Sequence, residues 1–160
     1  MENQFHPQEI LKISIEVEER GARLYSKLAE KSGNPAVEKV WNYLKEQEIE
    51  HKKIFSDILA KAGDYMVYEF NPGEYQNYIR AISSEYIFTP QLIEDKIKNN
   101  FESDLEAVNF GIEIEKESIL VYSSLEEFMK LERKELIDKI IDQERKHYTD
   151  LVSLKKTLKK

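Results

Sequence analysis

The sequence contains no cysteine. That excludes disulfides, zinc–thiolate centres and any cysteine-held iron centre, rubredoxin-type included, within these 160 residues. Only five glycines and four prolines punctuate the chain, too few for a turn-rich β-sandwich or barrel. No apolar run approaches the roughly 18 residues that a membrane-spanning helix needs. The first residues, Met1 to Pro7, are polar and lack the apolar core of a signal peptide, so the cytoplasm is the expected location. Basic residues are outnumbered, 24 against 31, for a net charge of −7. A nucleic-acid partner is therefore not expected. Lysines gather only in the tail, at Lys155, Lys156, Lys159 and Lys160, where they suit the dipole of a helix C-terminus.

The 34% charged and 41% hydrophobic residues alternate in steps of three and four, the pattern of amphipathic helices in a bundle. Four such apolar seams are interrupted near their middles by metal-binding residue types. Glu18 breaks the seam of Leu11, Ile15, Ala22 and Tyr25. Glu48 and His51 break Val37, Trp41, Leu44, Phe55 and Ile58. Glu115 breaks Val108, Ile112, Ile119 and Tyr122, and Glu144 and His147 break Ile137, Ile140, Leu151, Leu154 and Leu158. A lone ion on an inward face is far too costly to bury. Four carboxylates and two imidazoles aimed into one core therefore require cations.

Start and stop signals divide the chain into one domain of four long helices. Helix A is expected over about residues 7–32, with Gly33 as its stop, and helix B over about 35–62, capped by Asn34 with Pro35 in its first turn and ended by Gly63. Helix C is expected over about 104–130, opened by a capping box of Ser103 and Glu106, and helix D over about 133–158. The short A–B and C–D links make each pair an antiparallel hairpin. The segment between them, about residues 63–103, carries the turn signal Asn71-Pro72-Gly73, a short helix over Glu74 to Ser84 and another after Thr89-Pro90. A helix of about 27 residues is about 40 Å long, and this crossover is long enough to run back along it. The expected fold is all-α: a ferritin-like four-helix bundle of two antiparallel hairpins joined by one long crossover.

An internal repeat supports that topology. The segment from Ile15 to Leu28 aligns with that from Ile112 to Leu125 at an offset of 97, with six identities in 14 positions. Glu48 and Glu144 are offset by 96, as are His51 and His147. The halves read as a duplicated hairpin about a pseudo-twofold axis, with one metal on each side.

A glutamate and a histidine three residues apart share one helical face. In the expected arrangement Glu48 and Glu144 bridge two metals, His51 and His147 bind one each, and Glu18 and Glu115 are terminal ligands. Four carboxylates balance two divalent cations. Oxygen-rich ligation with one imidazole per metal suits iron, or manganese, better than zinc. Tyr25 and Tyr122, two turns after Glu18 and Glu115, are expected to donate hydrogen bonds to metal-bound carboxylates. Gln47 and Gln143, one turn before the histidines, are placed to orient an imidazole. Glu16, Glu19, Glu46, Glu50, Glu113 and Glu117 point off the seams and read as solvated surface, as does His6.

The set of Glu18 with Tyr25, Glu48-x-x-His51, Glu115 with Tyr122, and Glu144-x-x-His147 resembles the rubrerythrin branch of the ferritin-like di-iron carboxylate superfamily, across all four helices. The resemblance implies a non-haem site of two irons, in which two ferrous ions would each supply one electron to hydrogen peroxide, or react with oxygen. It also implies a homodimer. Members of that family carry a rubredoxin-like domain after helix D. With no cysteine here, electrons would come from a separate reductase or rubredoxin-like donor. The family also has a further glutamate one turn after the third-helix ligand, which takes part in iron movement between redox states. Here that position is Ser118, which is more similar to simpler ferritin-like relatives. The alternatives are a ferroxidase, a small-molecule oxygenase served by a channel lined by Tyr65, Tyr68, Tyr75, Tyr78, Tyr86 and Phe88, and a non-catalytic metal-binding protein. A hydrophobic lid over the bundle is the simpler role for those aromatics.

Overall fold

The structure, a computed structural model, describes residues 4–5, 8–62, 67–68, 73–74, 77–78, 81, 90–127, 129 and 131–160. The element order is β1 (Gln4–Phe5), α1 (Gln8–Lys31), α2 (Pro35–Lys61), β2 (Val67–Tyr68), α3 (Pro90–Asn99), α4 (Asp104–Glu126) and α5 (Leu131–Leu158). Helices α1, α2, α4 and α5 form a ferritin-like four-helix bundle. Each hairpin partner is the principal neighbour, α1 against α2 and α4 against α5. The hairpins meet through α1 with α4 and through α2 with α5, while α3 lies on α1.

The caps explain where the helices start. Asn34 is extended, and its side chain accepts the Ala36 N–H at 3.0 Å, ahead of Pro35. Ser103 accepts the Glu106 N–H at 3.2 Å. The return bond differs from an ordinary capping box: Glu106 Oε2 accepts the Glu102 N–H, at 2.7 Å, one residue before the cap. Helix α4 ends at Glu126, short of the expected end near Lys130, and α5 begins at Leu131 rather than near Arg133. The turn closes without glycine because Glu127 stays in the right-handed helical region and the Met129 N–H returns to the Glu126 carbonyl at 3.2 Å. Arg133 secures it against the other hairpin, donating to the Lys61 carbonyl at 2.5 Å near the end of α2.

Part of the crossover is described. Gly73 has φ of +78°, a left-handed conformation that suits glycine, while Asn71 and Pro72 of the expected turn lie outside the described residues. The Asn77 N–H bonds the Gly73 carbonyl at 2.9 Å, within the expected Glu74–Ser84 helix. The helix after Thr89-Pro90 is α3, followed by Asn100 in the left-handed conformation at φ 59°. An antiparallel pairing of Gln4 with Tyr68 and Phe5 with Val67, unforeseen from helical periodicity, ties the chain start to the segment after α2. His6, Gly63, Tyr65, Tyr75, Tyr86 and Phe88 lie outside the described residues. Tyr78 is exposed, with Ser124 Oγ 3.3 Å from its hydroxyl.

The apolar core is two clusters rather than one. The first gathers Leu11, Val17, Phe55, Ile58, Val121, Leu125, Ile137 and Ile140 around Tyr122. The second gathers Leu24, Leu28, Val37, Leu44, Val108, Ile112 and Leu151 around Tyr25 and Trp41, whose rings stack at 5.5 Å. In every bundle helix the glutamate falls between the residues given to one cluster and those given to the other. A polar layer therefore crosses the middle of the bundle. Two close approaches permit the packing. A Cβ on Gly21 would meet the Glu48 carboxyl carbon at 3.4 Å, and one on Gly111 would meet the Trp41 ring and Leu151 at 3.2 Å.

Candidate metal centre

The polar layer holds Glu18 from α1, Glu48 and His51 from α2, Glu115 from α4, and Glu144 and His147 from α5. All six are at most 2% exposed, although each is ionisable. Glu18, Glu48, His51 and Glu144 offer ligand atoms lying within 4.8 Å of one another, and so do Glu48, Glu115, Glu144 and His147. The two groups share Glu48 and Glu144. The imidazole rings lie side by side, with centroids 5.8 Å apart and planes 24° from parallel.

Both histidines turn Nδ1 toward the carboxylates. His51 Nδ1 is 2.7 Å from Glu144 Oε1 and 3.6 Å from Glu18 Oε1. His147 Nδ1 is 3.6 Å from Glu115 Oε2 and 3.7 Å from Glu144 Oε2. None of these approaches has the alignment of a hydrogen bond. Glu18 Oε2, Glu48 Oε1, Glu115 Oε2, both oxygens of Glu144 and both Nδ1 atoms are buried without a hydrogen-bond partner. Buried polar atoms are rarely left so, and seven converging on one layer form a ligand cradle. The donor set, mostly carboxylate oxygen with one imidazole per position, fits a pair of divalent cations.

The outer contacts cross between hairpins. Tyr25 donates to Glu115 Oε1 at 2.5 Å, and Tyr122 donates to Glu18 Oε1. Burial, then the charge of Glu115 on Tyr25 and of Glu18 on Tyr122, hold both phenols well above their ordinary range, so they stay protonated donors. Gln143 Oε1 is 2.9 Å from His51 Nε2, on the opposite hairpin. Gln47 makes no matching bond, since His147 Nε2 has no partner. Glu16, Glu19, Glu46 and Glu50 are exposed. Glu113 and Glu117 are half-buried rather than fully solvated, with Glu113 2.7 Å from Lys116. Two neighbours had no signal in the seam pattern. Gly21 faces Glu48, and Tyr43, 42% exposed, sets its ring edge-on to His147 at 5.8 Å.

The charges show what the layer demands. Burial, then the charge of Glu144, raises Glu18 well above the carboxylate range, against contacts with Glu48 and Tyr122 that pull it down. Burial, then Glu18 and Glu144, raises Glu48 likewise. Burial, then Glu144, lifts Glu115 to about 8. Glu144 goes the other way: burial opposes its ionisation, but His147 and His51 beside it prevail and hold it low. Burial also opposes charging of the imidazoles, yet Glu144 lifts His51 to about 9, and Glu115 with Glu144 lifts His147 to about 10. Protons on Glu18, Glu48 and both imidazoles would neutralise the four carboxylates. Two divalent cations with neutral imidazoles do the same.

The rubrerythrin family model matches residues 9–155. The chain belongs to the rubrerythrin family. A solved structure of a hypothetical protein from Pyrococcus furiosus shares the fold with this rubrerythrin-family chain, at 23% identity and a TM-score of 0.58, covering 96% of this chain and 90% of that one. No curated protein matches the chain. Among the described residues of this rubrerythrin-family bundle, no helix is long and apolar enough to cross a membrane.

Proposed function

We propose that this chain is a non-haem di-iron oxidoreductase of rubrerythrin type, reducing hydrogen peroxide, or oxygen, with electrons from a separate donor. The observation that carries the reading is the pair of four-residue groups sharing Glu48 and Glu144. Glu18 and His51 would hold one iron and Glu115 and His147 the other, with Glu48 and Glu144, which belong to both groups, available to each. Manganese accepts the same ligands.

When bound, the two ferrous ions supply the two electrons that, with two protons, convert hydrogen peroxide to two waters. The chain's own residues prepare that chemistry. Tyr25 and Tyr122 hold the terminal carboxylates across the hairpin interface and remain protonated. The two apolar clusters exclude bulk water from both ends of the polar layer. Tyr43, 42% exposed and edge-on to His147, brings the layer close to solvent, which suits a small oxidant. The 160 residues contain no cysteine, so the electrons come from a reductase or a rubredoxin-like protein. Ser118, buried one turn after Glu115, offers no fifth carboxylate, so the ligand set stays at six. A cytoplasmic homodimer completes the proposal, and sedimentation measures the oligomer.

The test is anaerobic loading with ferrous iron, metal analysis after desalting, and rapid mixing with hydrogen peroxide or oxygen while ferric absorbance is followed. Two irons per chain and oxidation faster with peroxide than with oxygen support the proposal. Faster reaction with oxygen, followed by release of ferric iron, favours a ferroxidase. No retained iron removes the di-iron reading.

A further inference from the structure

The two halves of the polar layer are matched in their carboxylates and tyrosines but not in what holds their imidazoles. Gln143 on α5 reaches across to α2, its Oε1 2.9 Å from His51 Nε2. Because Oε1 can only accept, Nε2 carries the proton. The nitrogen left to give up its proton to a cation is then Nδ1, which faces Glu144 and Glu18. The ring orientation, and which nitrogen a cation frees, are both set before any cation arrives. His147 lacks this brace. Its Nε2 is buried without a partner, although Gln47 occupies the position that the repeat pairs with Gln143. No bond at Nε2 selects the His147 nitrogen that a cation frees, and the ring is held by packing and by the more distant carboxylates that Nδ1 faces. Tyr43, its edge-on neighbour, is 42% exposed. The tyrosine bonds do not explain the difference, because Tyr122 to Glu18 and Tyr25 to Glu115 serve both halves alike.

We propose that Gln143 is a positioning residue that makes the two metal positions unequal. The position of Glu18, Glu48, His51 and Glu144 binds a divalent cation more tightly than that of Glu48, Glu115, Glu144 and His147. Losing a group that orients a metal ligand typically weakens binding about 10- to 100-fold, which sets the expected difference. The tight ion is the resident one, and the weaker ion exchanges on the side nearer Tyr43. The inference rests on reading these six residues as a di-metal site.

Stepwise binding to the unaltered protein would not decide the matter, since the first cation repels the second through the shared carboxylates. Single-position variants do. His147→Ala keeps the first position and His51→Ala keeps the second. Each is titrated anaerobically with manganous ion, the free ion being read by electron paramagnetic resonance. The expected result is binding about 10- to 100-fold tighter in His147→Ala. Adding Gln143→Leu should abolish that advantage in His147→Ala and leave His51→Ala unchanged. Gln143→Glu, which keeps the acceptor, should restore it. Equal affinities, or a Gln143→Leu effect of the same size in both backgrounds, would overturn the inference. So would loss of binding in both variants while the unaltered chain still takes two ions, an outcome that leaves the di-metal reading intact. No binding by the unaltered chain overturns both.

Discussion

Tyr25 on α1 donates to Glu115 on α4, at 2.5 Å, across 90 positions of sequence. Its repeat mate Tyr122 returns the contact to Glu18. Each half of the duplicated hairpin thus supplies the donor that holds the other half's carboxylate, so neither hairpin can complete the layer alone. Tyr25→Phe and Tyr122→Phe keep the ring and remove only that donor. Each should weaken metal binding about 10- to 100-fold without lowering helix content, since the lost bond orients a ligand. Metal titration beside circular dichroism checks this. Unchanged affinity in both variants would reduce the tyrosines to core packing.

Much of this was legible in the sequence because a carboxylate on an apolar seam has few explanations. Steps of three and four placed Glu18, Glu48, Glu115 and Glu144 on inward faces, and matching offsets made the histidines a pair rather than an accident. Pairing across hairpins was not legible. Tyr25 follows Glu18 by two turns, so linear spacing suggested no more than service to some carboxylate, while the bundle turns it toward Glu115. The same holds for Gln143, whose partner is His51 on another helix rather than the histidine one turn ahead. Gly21 and Tyr43 act through close approach and exposure, which periodicity does not encode. The β1–β2 pair is two residues per strand, too short for any alternation to register.

Without metal, stability should fall as pH rises. Glu18, Glu48 and Glu115 have folded pKa values raised above 4.5, so their contribution is full below that value and is lost through the folded one, about 8 for Glu115. His51 and His147 act in the same direction, full below 6.5 and lost through about 9 and about 10. Glu144, held low, has the opposite sign and contributes above 4.5, a contribution lost in acid. The melting temperature of metal-free protein should therefore peak near pH 4.5 and decline toward pH 9, while loaded protein declines far less over that range. Uptake of two divalent ions in place of protons on Glu18, Glu48, Glu115 and both imidazoles should release about five protons near pH 6. Melting curves and pH-stat titration measure the two effects, and a metal-free protein more stable at pH 9 than at pH 6 contradicts this account.

The two helical glycines at close contacts should respond oppositely to alanine. Alanine favours an interior helical position by about 1 kcal/mol over glycine. At Gly21 the added Cβ lies 3.4 Å from the Glu48 side chain, an ordinary contact, so Gly21→Ala should keep most of that gain. At Gly111 it lies 3.2 Å from the Trp41 ring and Leu151, both fully buried. Overpacking costs about 1–3 kcal/mol, so Gly111→Ala should be neutral to destabilising. Urea denaturation of both variants, metal-free and at one pH, ranks them directly. A Gly111→Ala protein more stable than Gly21→Ala would show that the Trp41 side of the core is looser than its contacts indicate.

Glu48 and Glu144 belong to both ligand groups, yet the metal-free layer treats them oppositely. Glu48 is pushed up by burial and by Glu18 and Glu144, so it acts as a charge the layer resists. Glu144 is the anion that both imidazoles face. Glu48→Gln therefore removes a buried like charge and should raise metal-free stability, most clearly above pH 7. Glu144→Gln leaves two imidazoles without their counter-charge and should lower stability below pH 6.5, where they would be charged even when unfolded. Removing one partner of a buried ionic contact costs about 3–5 kcal/mol, which bounds the loss. Toward metal the two should behave alike, each variant losing both ions, whereas Glu18→Gln should spare one. Melting curves at pH 6 and pH 8 read the first contrast, and metal content per chain reads the second. If Glu48→Gln still held two ions, that carboxylate would not be shared, and the bridge would rest on Glu144 alone.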